Sequence, residues 1–73
     1  MSDPVYWLSP VGERDDFGRL YGGVMYDAAT TAGSWACMSE ISWIMHRRYT
    51  TLGMGLGQRF EKQGDGRWLK TEG

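Results

Sequence analysis

Gly64-Asp65-Gly66 separates two short runs, Arg59 to Gln63 and Arg67 to Thr71. A reversal this tight needs residues that accept φ > 0, so the segment predicts a β-hairpin. Alternation along its arms sends Phe60 and Lys62 to one face and Arg59, Glu61 and Gln63 to the other. On the second arm Trp68 and Lys70 alternate against Arg67 and Leu69. The preceding Gly53-x-Gly55-x-Gly57 follows a predicted helix and leads into a strand. A dinucleotide loop has the opposite context and a phosphate loop ends in GK[ST], so the glycines predict a bend, or backbone packed against Trp35 or Trp68.

The rest of the chain must be built around that hairpin with few resources. Seventy-three residues make one domain, and a core of this size supplies only ~3–5 kcal/mol of net stability. Cys37 is the single cysteine, which excludes an intrachain disulfide, and with His46 it falls short of the about four ligands of a zinc site. Neither metal nor cofactor is expected. What remains is aromatic burial, or self-association as a homodimer. Four Trp, four Tyr and two Phe favour the first, since each ring buries roughly 150–250 Å². Trp35 and Trp68, beside small residues in hairpins, are expected in the core. A pocket of several hundred Å³ is not expected in so small a volume. The N-terminal segment has no basic stretch followed by an apolar run, and nowhere do 18 apolar residues follow one another. The expectation is a soluble cytoplasmic protein with no membrane partner.

Residues 1–20 read as an irregular arm punctuated by Pro4, Pro10, Gly12 and Gly18, and residues 21–73 as the compact body of the same single domain. Asp15-Asp16-Phe17-Gly18 reads as a turn, with its carboxylates in a solvated loop. A first hairpin is predicted over residues 24–38, turning at Thr31-Ala32-Gly33. A helix follows: Ser39 can cap, Glu40 suits the first turn, and His46, Arg47 and Arg48 suit the last. Ile41, Ile44 and Met45, extended by the Arg48 stem, form an apolar stripe that is expected to face the core. Trp43 then falls on the far side, either under the N-terminal arm or free for a partner. The resulting fold is α+β: a ββαββ domain with two hairpins, one short helix and an extended N-terminal arm.

Two opposite charge balances lie within a net charge of -1: residues 1–45 carry two cations against six carboxylates, residues 46–73 six against three. The halves can complement each other or offer docking surfaces. A Cys37–His46 nucleophile pair would need a low thiol pKa and a base within hydrogen-bond reach; a small buried cysteine and a helix-terminal histidine is the simpler reading. No catalytic residue is assigned.

Trp35-Ala36-Cys37-Met38, then Leu52-Gly53-Met54-Gly55-Leu56-Gly57-Gln58-Arg59-Phe60, with Asp65-Gly66-Arg67-Trp68-Leu69-Lys70 behind them, resemble a group of small bacteriophage and prophage proteins over about residues 25–73. Some of those resemble degenerate zinc knuckles with more cysteines near the Trp-Ala segment. This chain keeps only Cys37 there and has Ser34 where the pattern has proline. The resemblance implies a phage-related cytosolic context and no reaction. The expectation is therefore a non-enzymatic interaction protein that binds and inhibits a host protein complex, such as a CRISPR or other defence effector. Its partner-binding residues would be Trp43, Arg47 and Arg48 at the helix end, joined by Arg59, Lys62 and Arg67, because Trp and Arg are the usual interface anchors. The alternative is a nucleic-acid-binding module using the basic C-terminal half, where cations interleave with Tyr49, Phe60 and Trp68.

Overall fold

In the computed structural model, which describes residues 3–73, the first hairpin forms where alternation and turn residues place it. Strand β1 (Val24–Ala29) returns as β2 (Trp35–Met38). The turn is closed by the Thr30 N–H and hydroxyl, which donate to the Ser34 carbonyl at 3.0 and 2.7 Å. Ser39 then caps the helix α1 (Glu40–His46), its hydroxyl accepting from the Ser42 N–H at 3.3 Å. The second hairpin joins β3 (Gly57–Lys62) to β4 (Trp68–Glu72). In its turn Gly66 has φ +89°, and the Asp65 carboxylate accepts from the Arg67 N–H at 3.0 Å. The strands form one antiparallel sheet of order β2-β1-β3-β4, so the architecture is the ββαββ α+β fold.

Register assigns the two faces of the sheet. Tyr26 stands opposite Met38 and Arg59, and Ala28 opposite Ala36 and Gly57. With Trp43 above them, Tyr26, Ala28 and Met38 form one buried cluster under α1. Met25 stands opposite Phe60, and Lys62 opposite Trp68. With Tyr21, these rings form the other cluster, covered by Trp7 and Val11 of the arm. At Gly57 there is no room for a side chain between β1 and β3: a Cβ there would lie 2.5 Å from Ala28 Cβ. The glycine is thus required by Ala28 and not by Trp35 or Trp68.

One outer edge of the sheet is covered by the arm and the other is engaged at Cys37, which hinders strand-to-strand association. Along β4 the arm runs as a short extra strand: the Trp7 N–H donates to the Trp68 carbonyl at 3.0 Å and the Lys70 N–H to the Val5 carbonyl at 2.7 Å. Along β2, Asp16 exchanges bonds with Cys37, accepting from its N–H at 2.8 Å and donating to its carbonyl at 3.0 Å.

Three expectations are corrected by this packing. The stripe Ile41, Ile44 and Met45 faces outward, at 61%, 53% and 59% exposure, and Trp43 faces inward at 9%. Neither the arm nor a partner is needed to cover Trp43, because Tyr26 stacks on it at 4.3 Å and 4°. Trp68 is buried as expected, whereas Trp35 is 45% exposed. It opens the edge strand opposite Ala29, at the end of the sheet away from the arm cluster. Finally, Asp15 is buried beside the helix start, with Ser39 and Ser42, and does not belong to a solvated loop.

Candidate functional site: an aromatic cleft with a cationic rim

An open cleft of about 660 Å³ lies between the arm, the turn Leu20–Gly23 and the second hairpin. The sequence-based expectation of no such space is overturned because the cleft forms between segments instead of inside a core. Tyr21 packs edge-on against Trp68 at 5.6 Å, and Trp7 edge-on against Phe60 at 5.4 Å. Trp7, Val11, Tyr21 and Trp68 line it, and Lys62 and Arg67 stand on its hairpin side. Strand pairing explains the position of Lys62, which lies opposite Trp68 and so on the same face. Arg67 is held in place from two directions: its Nε donates to Asp65 Oδ2 at 2.8 Å, and its guanidinium lies 4.1 Å from the Tyr6 ring. Lys62 makes no ion pair among the described residues. Burial, with the negative charges of Cys37, Asp16 and Asp15 when ionised, pushes the Tyr21 hydroxyl up to about 12, so it is a neutral wall at physiological pH.

The other candidate partner-binding residues are placed elsewhere. Trp43, Arg47 and Arg59 meet under α1 as a layered stack: the Arg47 guanidinium is 4.6 Å from the Trp43 ring, and Trp43 lies flat on Tyr26. Arg59 Nε donates to the Tyr26 hydroxyl at 3.3 Å, and its guanidinium pairs with Glu61 at 3.0 Å. Arg48 lies over Tyr49 at 5.6 Å. The basic C-terminal residues therefore do not converge on one surface. Lys62 and Arg67 alone are joined, and by Trp7 and Tyr21, neither of which the sequence marks as a partner-binding residue. Their signal was faint: a Trp inside an irregular arm, and a Tyr just before Gly22-Gly23.

Cys37 and His46 do not pair. Cys37 packs into the arm-side cluster, where burial first, then Asp27 and Asp16, pushes its thiol up to about 11. Such a thiol is protonated and unreactive near neutral pH. His46 stacks on Phe17 at 4.0 Å. Among the described residues no three His, Cys, Asp or Glu side chains come together in a metal-binding group, and no helix is long and apolar enough to cross a membrane. The chain matches no protein-family profile, no curated protein and no solved structure.

Proposed function

We propose that this chain is a non-enzymatic, phage-type interaction protein that works in the cytoplasm of the host cell by occupying a surface of a host protein complex. A CRISPR effector or another defence assembly is the target class. The cleft carries the interaction half of this reading. Aromatic walls exclude water around an apolar anchor, while Lys62 and a pre-positioned Arg67 offer charge-assisted bonds to a neighbouring carboxylate. A partner segment with an aromatic or aliphatic side chain beside an acidic one has that chemistry. The inhibitory half rests on the phage resemblance of the Gly55-x-Gly57-Gln58 and Asp65-Gly66-x-Trp68 segments. A nucleic-acid module would use a continuous basic track, and here Arg47 and Arg59 are engaged on the opposite face of the sheet from Lys62.

The test is affinity capture from the bacterial host with the wild-type chain and with Lys62→Glu combined with Arg67→Glu, followed by mass spectrometry. A defined host complex should be retained by the wild type and lost from the folded double variant. Unchanged capture would remove the cleft from the site. Nucleic acid recovered without protein, and released as salt rises, would replace this reading with the nucleic-acid one.

A further inference from the structure

For a monomer, α1 presents its faces the wrong way round. Its seven residues turn by about 100° each, which sets Ser42, Trp43 and His46 inward and Glu40, Ile41, Ile44 and Met45 outward. The three aliphatic side chains lie at i, i+3 and i+4, so they form one contiguous stripe, and each is more than half exposed. The two ends of the stripe differ in sign. Glu40 stands at its start, and Arg47 and Arg48 follow its end. Among the described residues none of these three forms an ion pair, the guanidinium groups lying instead over Trp43 and Tyr49.

A surface that is apolar in the middle, acidic at one end and basic at the other matches itself when turned end for end. Antiparallel pairing brings Glu40 of each copy towards Arg48 of the other, sets aliphatic against aliphatic between them, and opposes the two helix dipoles. Parallel pairing would put like charge against like. We propose that α1 is the interface of a homodimer in which two copies of the helix pack antiparallel about a twofold axis passing near Ile44. Ile41 of one copy then meets Met45 of the other, at the interaxial distance of about 8–10 Å usual for packed helices. The competing route to a dimer, pairing of sheet edges, is obstructed on β4 by the arm and interrupted on β2, at Cys37, by Asp16. The aromatic cleft lies on the other face of the sheet, so the dimer holds two clefts free, and a host assembly with repeated sites would bind it with avidity.

Sedimentation velocity on the full chain over a concentration series tests this. The wild type should sediment as a dimer, and Ile44→Asp, an exposed position, as a folded monomer with unchanged near-ultraviolet circular dichroism. Glu40→Arg and Arg48→Glu should each weaken the dimer about tenfold, and the two together should recover most of that loss. A wild-type chain that is monomeric at about 100 µM overturns the proposal. So does a dimer indifferent to Ile44→Asp, or a charge swap that gives no recovery. Because none of these variants touches the cleft, the outcome is independent of the capture experiment with Lys62 and Arg67.

Discussion

Asp15 links the arm to the helix through one carboxylate. Its Oδ1 accepts from the N–H groups of Phe17 and Arg19 at 2.9 and 2.8 Å, and its Oδ2 from the Ser39 N–H at 2.8 Å. Burial by itself would raise its pKa. The bonds from the Ser42 side chain and the Ser39 and Arg19 amides outweigh that and hold the group well below the usual carboxylate range. A folded pKa below the unfolded one adds stability that is present above about pH 4 and is lost as pH falls towards the folded value. Asp15→Ala should cost about 3 kcal/mol, since buried amides lose a charged acceptor. Asp15→Asn should also lower the melting temperature at pH 7 and flatten its decline between about pH 5 and pH 2. Thermal melts across that range check both, and a wild-type profile in either variant would contradict this role.

At the scale of the element, the decisive question is why α1 turns Trp43 inward. Burying Ile41, Ile44 and Met45 would be worth about 1.5–3 kcal/mol each, so apolar content alone favours the opposite phase. The phase is fixed at the helix start, where the Ser39 amide and the Ser42 hydroxyl must reach Asp15. With Ser42 inward, Trp43 is inward too, one residue further round, and Tyr26 offers it a flat partner. Trp43→Ala should therefore cost about 3–5 kcal/mol, enough to unfold much of the population of so small a domain. Trp35→Ala, at a half-exposed strand end, should stay within about 1 kcal/mol. Denaturant melts of the two variants distinguish this from the reverse assignment, which follows from the sequence pattern.

For the whole molecule the arm functions as part of the sheet. Val5 and Trp7 extend the hydrogen-bonded ladder beyond β4, and Trp7 closes the arm-side cluster against Phe60. A chain beginning at Ser9 should lose two rings, Trp7 against Phe60 and Tyr6 beneath Arg67, of which the Trp7 contacts alone are worth about 3 kcal/mol. Its Lys70 amide, which bonds to Val5, should exchange with solvent much faster. Amides in β1, between two strands, should remain the slowest. Hydrogen exchange followed by NMR reads this directly, and equal protection at Lys70 with and without the arm would show that the edge is closed by something else.

Local chemistry was sufficient for the elements. The turn at Gly64–Gly66, the alternation of Phe60 and Lys62 against Arg59 and Glu61, and the Ser39 cap all depend on neighbours a few residues away, and sequence carries that information openly. Which side of α1 is buried, which tryptophan is core, and that Lys62 and Arg67 share a cleft with Trp7 and Tyr21 were settled by contacts between distant segments. Asp15 against Ser39, Trp43 against Tyr26 and Trp7 against Phe60 are such pairs. An amphipathic pattern states how many apolar side chains a helix carries and at what spacing. The direction they face is set by the hydrogen-bonding and shape of whatever lies opposite, and that partner exists only once the chain has folded.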